Sequence, residues 1–328
     1  MSPAEGSATG ISVVVPNWNG RQWLPRCLEA LSKQTQRADE VIVVDNGSRD
    51  GSVGYLRADH PQVTVLALSA NTGFAHAANR GFEIARGALV ALINTDVMLA
   101  PDWLERMRDA LGSDPKSGSA ACKMLSLDSP PRVYDAGDIL RRDGACEQRG
   151  RFAADDGRWD QPGEVFGACA GAALYRRDAV RAVGGFDERY FAYLEDVDLS
   201  LRLQLAGWRC RYEPAVALHA GEGSSHQLSG GHQLLVARNT LLLVAKAFPI
   251  RWLPAVAYRQ LAWAWHAGLE RRLGDHLRGV VAAIPVIPGM LRDRRRLRAC
   301  SATTIDRVVP RRPIRGPRAG GHPAARAA

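Results

Sequence analysis

The sequence predicts an α/β fold in which a mostly parallel sheet is covered by helices on both faces. Short apolar runs rich in Val, Ile and Leu recur from residue 11 onward. They alternate with segments whose apolar residues have the spacing of one helix face, for example Leu24, Leu28 and Leu31. Strands that are apolar on both faces, alternating with helices, are typical of a parallel sheet between two helical layers.

The first third of the chain provides the clearest elements. Wholly apolar or β-branched runs predict strands, whereas i, i+3, i+4 apolar spacing predicts helices, and Pro25 and Pro101 are tolerated in a first helical turn. In chain order the predicted elements are strand 11–15, helix 23–34, strand 41–44, strand 63–68, helix 74–85, strand 89–93 and helix 102–111.

The rest of the chain is less regular at first. Residues 112–164 are rich in Gly, Pro, Asp and Arg and predict loops with a hairpin around 133–140. The later predicted elements are a small-residue run at 167–175, helices at 178–183 and 195–206, strands at 209–212 and 216–218, a loop at 220–231 and a Trp- and Leu-rich helical stretch to about 291. We therefore expect a disordered N-terminus over 1–9, an α/β domain over 10–230, a helical C-terminal segment over 231–298 and a basic disordered tail over 299–328.

Charge is concentrated at one end of the chain. The 328 residues have a formal net charge of +9, and residues 292–328 alone contain eleven Arg against two Asp. The remaining body is balanced, which argues against nucleic acid as a partner and leaves the tail as a solvated segment or as an anchor to an anionic membrane surface.

Other composition signals point to the cytoplasm. The six Cys residues form neither a zinc pattern nor a disulfide framework, and residues 1–10 lack the pattern of a signal peptide. The most apolar charge-free stretch, residues 279–291, is too short to cross a bilayer and could at most lie in its interface. We expect a cytoplasmic protein that either stays free or binds the inner face of the cell membrane.

Polar residues follow each of the first four predicted strands. Ligands of open α/β sheets lie at the carboxyl ends of the strands, so four polar ends in succession favour a binding site, although each alone is typical of a turn. The residues in question are Pro16, Asn17 and Asn19 after the first strand, Asp45 after the second, Asn71 and Gly73 after the third, and Asn94, Thr95 and Asp96 after the fourth.

The phosphate-binding loops of common nucleotide enzymes are missing from the sequence. No GxGxxG follows the first strand and no GxxxxGK[ST] occurs, so the sequence supports neither an NAD-dependent enzyme nor a P-loop NTPase. The diphosphate of a nucleotide bound at the strand ends would then need another counter-charge. A divalent cation held by Asp96 would supply it.

A set of sequence blocks stands in a fixed order across about residues 10–240. They are Ser-Val-Val-Val-Pro-Asn-Trp-Asn-Gly at 12–20, Val-Asp-Asn-Gly-Ser-Arg-Asp-Gly-Ser at 44–52, Asn-Thr-Gly-Phe-Ala at 71–75 with Asn79 and Gly81, Leu-Ile-Asn-Thr-Asp-Val at 92–97, Gly-Gly-Phe-Asp-Glu at 184–188, Phe-Ala-Tyr-Leu-Glu-Asp-Val-Asp-Leu at 191–199 and His219. The ordered set resembles the family-two glycosyltransferases with the GT-A fold, especially their rhamnosyltransferase-like branch.

The resemblance implies a GT-A-type, Rossmann-like sheet and an inverting sugar transfer. The implied donor is a UDP- or dTDP-sugar, including dTDP-rhamnose, and the implied acceptor is a hydroxyl of a cell-envelope polysaccharide or of a lipid-linked saccharide. The nucleotide-sugar-binding residues implied by the matched blocks are Pro16, Asn17, Asn19, Asp45, Asn71, Gly73, Asn79, Asn94 and Thr95. For Asp45 the alternative is a helix cap after the second strand.

The resemblance also implies a Mg²⁺ or Mn²⁺ ion. Asn94, Thr95 and Asp96 stand where the family carries Asp-x-Asp, so one carboxylate is available instead of two. His219 matches the late His that completes the metal shell, and the alternative is a structural His, the commoner role of a lone His. His226 and His232 are weaker candidates for the same task.

Two adjacent acids, Glu195 and Asp196, begin a predicted helix. By the resemblance Asp196 is the general base that takes the proton of the acceptor hydroxyl, and Glu195 binds hydroxyls. The positive end of the helix dipole would favour their ionised forms near neutral pH. The alternative is that both are ordinary first-turn acids.

Two other functions compete with this prediction. A sugar-1-phosphate nucleotidyltransferase would share the sheet but would need a Gly-rich, basic loop after the first strand, and residues 16–20 do not form one. An inactive carbohydrate- or nucleotide-binding scaffold would be expected to lack Asp96 or Asp196, and both are present. For the Trp-rich C-terminal segment, a packed appendage and a helix lying on a membrane remain equal alternatives.

Overall fold

A computed structural model of the chain describes residues 10–220 and 231–311. The strands are β1 Ile11–Asn17, β2 Glu40–Asp45, β3 Thr64–Ala67, β4 Leu89–Ile93, β5 Val97–Leu99, β6 Ser117–Ser126, β7 Val133–Asp135, β8 Asp138–Leu140, β9 Cys146–Gln148, β10 Gly163–Val165, β11 Ala172–Arg176 and β12 Arg209–His219. The helices are α1 Leu24–Ser32, α2 Ser52–Asp59, α3 Phe74–Ile84, α4 Trp103–Gly112, α5 Arg177–Ala182, α6 Glu195–Leu205, α7 Gly231–Ala247, α8 Leu253–Leu269, α9 Leu273–Ala283, α10 Ile287–Ala299 and α11 Ile305–Val308.

The central sheet has the order β10-β12-β6-β11-β4-β1-β2-β3, with β5 on β12 and β7 on β6. Strands β4, β1, β2 and β3 are mutually parallel, as are β6 and β12, and β11 runs antiparallel between these two groups. The predicted α/β class with a mostly parallel sheet is confirmed.

Alternate residues of the buried strands face two separate cores. Val13 and Val15 of β1 pack in one cluster with Leu24 of α1. Val14 faces the other cluster, which contains Phe82 of α3. Because helices cover both faces of the sheet, the two sets of alternate positions in the middle of β1 are both apolar, which is why this run could be recognised in the sequence.

The prediction of loops over residues 112–164 is wrong for β6. This ten-residue strand is buried between β11 and β12 although its side chains are mostly small and not β-branched. Gly118 faces Trp208, and a Cβ there would lie 3.0 Å from the Trp208 side chain. Tight packing against neighbours, not strand propensity, thus places β6 in the sheet.

Three smaller predictions of local structure are also corrected. The expected hairpin around 133–140 does not form, because β7 pairs with β6 and β8 pairs with β9. The two expected strands at 209–212 and 216–218 are one strand, β12, whose register shifts between Tyr212 and Val216 around Pro214. Helix α2 was not predicted; it has little amphipathic pattern, and only Ser52 and Leu56 of its residues are buried.

The C-terminal segment is helical as predicted and packs on the α/β part. Leu201 and Leu205 of α6 share one buried cluster with Leu242 of α7 and Met290 of α10. In the described residues no helix is long and apolar enough to cross a membrane. The apolar run 279–291 lies partly inside the protein, since Gly279, Ala283 and Met290 are buried.

The predicted disorder from residue 299 is wrong for residues 299–311. They contain α11, and Val308 and Val309 are buried in the cluster formed with α6 and α7. The guanidinium of Arg142 donates to the backbone oxygen of Val309 at 2.8 Å. Apolar residues among the arginines therefore dock this part of the tail. Residues 1–9 and 312–328, for which disorder was also predicted, lie outside the described residues.

Candidate active site

A cleft of about 760 Å³ opens where β1 and β4 end. Its other walls come from residues 134–151, from the loop that precedes α6, and from helices α7 and α8. The predicted site residues that line it are Pro16, Asn17, Asn71, Asn94, Thr95, Asp96, Glu195, Asp196 and His219. Asn19, Asp45, Gly73 and Asn79 are not among its lining residues.

Asp45 lies beneath the cleft and holds Asn17. The two residues are opposite each other in the parallel pair β1–β2, and Nδ2 of Asn17 donates to Oδ2 of Asp45 at 2.7 Å. The backbone N–H of Ser48 donates to the other carboxylate oxygen at 3.0 Å. Asp45 is buried and both of its carboxylate oxygens accept bonds from the protein, so it orients Asn17. Its contact with a nucleoside stays a prediction. Oδ1 of Asn17 has no hydrogen-bond partner among the described residues.

Asn46 joins the ends of β2 and β3. Its Nδ2 donates to Oδ1 of Asn71 at 3.0 Å and to the backbone oxygen of Gly73 at 3.1 Å. Its Oδ1 accepts from both the N–H and the hydroxyl of Thr72 at 2.9 Å. Asn46 thereby orients Asn71 in the cleft. It was missed although it stands inside the block at 44–52, beside Asp45.

The structure does not bring three predicted donor-binding residues into the cleft. Gly73 has φ +92°, and a Cβ there would lie 2.6 Å from the backbone oxygen of Phe191, so its role is to permit a close approach. The Asn79 amide exchanges two hydrogen bonds with the backbone of Phe186, at 2.9 and 2.8 Å, and so fixes α3 to the turn after α5. Asn19 lines a separate, more open depression.

Asp96 and His219 lie side by side at the cleft. Strand β5 pairs with the end of β12 so that Val97 is opposite His219, and Nε2 of His219 is 3.3 Å from Oδ2 of Asp96. The ring of Tyr134 stacks on the His219 ring with 4.1 Å between centroids. An imidazole and a carboxylate this close fit the coordination sphere of Mn²⁺ or Mg²⁺.

The protein would supply only part of that coordination sphere. Among residues 10–220 and 231–311, no group of three or more His, Cys, Asp or Glu side chains is arranged to hold a metal ion. Diphosphate oxygens and water would have to complete it, as is usual for Mg²⁺. Of the two weaker candidates, His232 lines the cleft from α7, and His226 lies outside the described residues.

The loop before α6 has an unusual backbone. Phe191, Tyr193 and Leu194 have φ values of 66°, 67° and 66°, a left-handed conformation that costs free energy for residues with a Cβ. Asn239 of α7 is fully buried, and its Nδ2 donates to three backbone oxygens of this loop at 2.7–3.0 Å. Helix α7 therefore fixes the loop that presents the first turn of α6 to the cleft.

Glu195 and Asp196 lie at that first turn and have different partners. Oδ2 of Asp196 accepts the N–H of Ala170 at 3.0 Å, and Oδ1 accepts the N–H of Val197 at 2.8 Å. Oε2 of Glu195 is buried and has no hydrogen-bond partner among the described residues. Asp196 is thus held in a fixed orientation, whereas Glu195 retains an oxygen for a ligand.

Burial controls the protonation of this pair. It raises the pKa of Asp196, even though the Ala170 and Val197 N–H groups favour the ionised carboxylate. Burial, together with the charge of Asp196, raises the pKa of Glu195 well above its usual range. Desolvation therefore outweighs the helix dipole, so the pKa values of both acids are raised where the dipole alone would lower them.

Two acids that were not predicted, Asp135 and Asp138, belong to the same cluster. Asp138 lines the cleft, and its Oδ2 has no hydrogen-bond partner among the described residues. Burial raises the pKa of Asp135 to about 7, and burial with the charges of Asp135 and Asp196 raises that of Asp138 well above its usual range. A carboxyl group that keeps its proton can donate a hydrogen bond to a sugar oxygen. The Asp-Ala-Gly-Asp run at 135–138 could have indicated these two acids in the sequence, but it lies in the segment that was predicted to form loops.

The helical C-terminal segment completes the cleft. Thr240 of α7, Trp263 of α8 and Arg272 after α8 all line it. The predicted domain boundary at residue 230 therefore cuts through the site. Arg151 also lines the cleft, with its guanidinium carbon 4.1 Å from the centroid of the Tyr134 ring. Arg151 and Arg272 bring positive charge to a cleft that otherwise contains several acids.

Comparison with known proteins assigns the family. The family model described as "Glycosyl transferase family 2" matches residues 12–184. The chain belongs to glycosyl transferase family 2. An N-acetylglucosaminyl-diphospho-decaprenol L-rhamnosyltransferase of Mycobacterium tuberculosis is 32% identical in an alignment of 272 positions that covers 74% of this chain and 88% of that protein. A pre-mycofactocin glycosyltransferase of the same species is 32% identical over 65% of this chain and 43% of its own length.

Solved structures agree with the fold of this family 2 glycosyltransferase. GalNAc-T7 with UDP, GalNAc and Mn²⁺ has a TM-score of 0.60 at 14% identity, covering 73% of this chain and 48% of that chain. The mannosyltransferase PcManGT from Pyrobaculum calidifontis, in complex with GDP-Man and Mn²⁺, has a TM-score of 0.52 at 19% identity, covering 91% and 88%. The predicted GT-A architecture and the predicted enzyme class, a glycosyltransferase, are confirmed.

The raised pKa of Asp196 predicts the pH dependence of this glycosyltransferase. If Asp196 must be ionised to accept a proton, activity decreases as the pH drops through the pKa of Asp196. Burial raises this pKa above the value of ~3.9 that is usual for an exposed Asp. We therefore expect the acidic limb of kcat to lie above this value. Measuring kcat against pH at saturating donor checks the prediction, and a profile that stays flat down to about pH 4 would contradict it.

Proposed function

We propose that this glycosyltransferase moves a sugar, with inversion at the anomeric carbon, from a UDP- or dTDP-sugar to a hydroxyl of a lipid-linked or cell-envelope saccharide. The single observation that carries the proposal is that one cleft contains both a carboxylate in a fixed orientation, Asp196, and the Asp96–His219 pair. The name of the M. tuberculosis relative supports dTDP-rhamnose as the first donor to test and a lipid-linked diphosphate saccharide as the first acceptor class.

The bond changes follow from the positions of these residues. The acceptor oxygen attacks the anomeric carbon, the bond from that carbon to the diphosphate breaks, and its electron pair stays on the diphosphate. Asp196 takes the acceptor proton. Glu195 and Asp138, each with a buried oxygen that has no partner among the described residues, bind hydroxyl groups of the sugars.

The donor lies against the carboxyl ends of β1 and β4. Asn17 and Asn71, oriented by Asp45 and Asn46, contact its nucleoside, with Pro16, Asn94 and Thr95 beside them. Arg151 and Arg272 provide positive charge toward the diphosphate. Asp96 and His219 would hold a Mg²⁺ or Mn²⁺ ion, which supplies charge stabilisation to a leaving diphosphate when it is bound.

Metal removal provides the next prediction. We expect exhaustive chelation to lower activity by at least about tenfold and added Mn²⁺ or Mg²⁺ to restore it. His219→Gln should raise the metal concentration needed for half-maximal activity by a similar factor. His60→Gln is the matched control, because His60 contacts Tyr55 outside the cleft. Full activity after chelation would refute the metal role.

The proposed function is tested with the full chain and a panel of nucleotide sugars. Release of the nucleoside diphosphate is followed with each donor, in the presence of a prenyl-diphosphate-linked saccharide acceptor. We expect one UDP- or dTDP-sugar to support release that depends on the acceptor and on Asp196. Release with none of the donors, while the chain remains folded, would contradict the proposal and favour a binding protein.

A further inference from the structure

We infer that the outer face of α8 and α9 docks on an anionic lipid bilayer, an inference that rests on the proposed lipid-linked acceptor. The inference starts from a stripe of exposed apolar side chains, which we call the outer face. It consists of Tyr258, Leu261, Trp265 and Leu269 on α8, and Leu273, Leu277, Val281 and Ile284 along α9.

The spacing and exposure of these residues define one side of each helix. On α8 they recur at steps of three and four residues and are 70–75% exposed, and on α9 they are 40–63% exposed. Soluble monomers rarely expose apolar side chains in such continuous stripes. The two stripes are joined in the chain by the short turn at 270–272, and α8 and α9 contact each other.

Packing fixes the orientation of the outer face. The opposite side of α9 carries His276, Gly279 and Ala283, which are buried. A Cβ at Gly279 would lie 2.3 Å from the backbone oxygen of Leu234, so α9 is in close contact with α7. This close contact fixes the rotation of α9 about its own axis. The apolar stripe of α9 therefore faces solvent.

The charge around the outer face favours a lipid surface. Residues 253–284, which include α8 and α9, contain four Arg against Glu270 and Asp275, a net charge of +2. A second copy of the chain docking symmetrically on this face would bring like charges together, whereas anionic headgroups would attract them. Apolar helices with Trp in the apolar stripe and Arg nearby are typical of helices that lie in a membrane interface.

The outer face is also connected to the reaction cleft. Trp263 of α8 and Arg272 after it line the cleft, while Trp265 and Leu269 of the same segment point away into solvent. A bilayer in contact with the outer face would therefore lie on the far side of the helix that forms one wall of the cleft. The lipid part of a lipid-linked acceptor could then remain in the bilayer while its saccharide reaches the cleft.

The test is co-sedimentation of the full chain with vesicles, without donor or acceptor, so that its result is independent of the proposed reaction. Vesicles of phosphatidylglycerol and phosphatidylcholine are compared with vesicles of phosphatidylcholine alone. The variant combines Leu261→Gln, Trp265→Gln and Leu269→Gln, which removes apolar area, adds no charge and keeps good helix formers. Phe152→Asn is the matched control, because Phe152 is an exposed aromatic residue at φ +63° outside these helices.

We expect the unmodified chain and Phe152→Asn to bind the anionic vesicles, and the triple variant to bind at least about tenfold more weakly. Binding should also decrease at about 1 M salt, where the Debye length is ~3 Å. The inference is overturned if the unmodified chain does not bind anionic vesicles at low salt, if the triple variant binds equally well, or if phosphatidylcholine alone binds as strongly. It is also overturned if sedimentation velocity without lipid shows a dimer that the triple variant abolishes, since the outer face would then be a self-association surface.

Discussion

Replacing Asp196 by Asn is expected to lower kcat by at least ~100-fold, the usual scale for a positioned general base. Asn has nearly the same volume and can still accept one of the two backbone N–H bonds that Asp196 receives from Ala170 and Val197. It cannot take a proton from the acceptor. The affinity for the nucleoside diphosphate, measured by calorimetry, should stay close to that of the unmodified enzyme.

Asp178→Asn is the matched control for this substitution. Asp178 is the first-turn acid of α5 and its Oδ1 accepts the N–H of the next residue, Ala179, at 2.7 Å, as Asp196 does with Val197. It is not among the residues that line the cleft. We expect kcat to be unchanged in this variant. A kcat near normal in Asp196→Asn, or an equal loss in both variants, would contradict the assignment of the base.

The second large effect is expected on stability, from Lys246→Met. Lys246 of α7 is buried, and its Nζ lies 2.8 Å from Asp187 and 2.7 Å from Asp198 of α6. Met preserves the apolar stem but leaves two buried carboxylates with one cation fewer. Removing one partner from a buried ion pair costs about 3–5 kcal/mol. We expect a loss near the lower end, because Arg189 and Arg202 still contact Asp187 and Asp198.

The free energy of unfolding from denaturant titration checks this prediction. Burial alone would raise the pKa of Asp187, but Arg189 and Lys246 hold it well below its usual range. A lowered folded-state pKa contributes stability above the unfolded value of ~3.9 and loses it as pH falls further. The difference in the free energy of unfolding between Lys246→Met and the unmodified chain should therefore persist at neutral pH and shrink below about pH 4. Lys33→Met, which removes an exposed pair with Glu29, is the control. Equal unfolding midpoints for Lys246→Met and the unmodified chain would refute the role of Lys246.

The parts of the fold that the sequence predicts well are those where one local pattern decides the structure. β4 is apolar along its length and β1 over 13–15 because helices cover both faces, and α1 and α4 show a clear apolar stripe. β6 could not be recognised, because its small side chains are placed by the neighbouring strands and by Trp208. No local pattern carries that information.

The same distinction applies to the site. Asn17, Asp96 and Asp196 stand at the ends of predicted elements and reach the cleft as expected. Asp138 and Trp263 come from segments whose position depends on long-range packing, and sequence reasoning missed them. Gly73 and Asn79 were assigned to the donor by resemblance, but their contacts are with Phe191 and Phe186. These two contacts show how a matched motif residue can serve the geometry of a site, and their donor contacts stay predictions.

The central claim, a single displacement assisted by Asp196, is tested most directly by the anomeric configuration of the product. The enzyme is incubated with the donor that supports nucleoside diphosphate release and with its acceptor, and the new glycosidic linkage is analysed by NMR. The account predicts a linkage whose configuration is opposite to that of the donor. A product that retains the configuration of the donor would contradict it, because retention requires more than one displacement at the anomeric carbon.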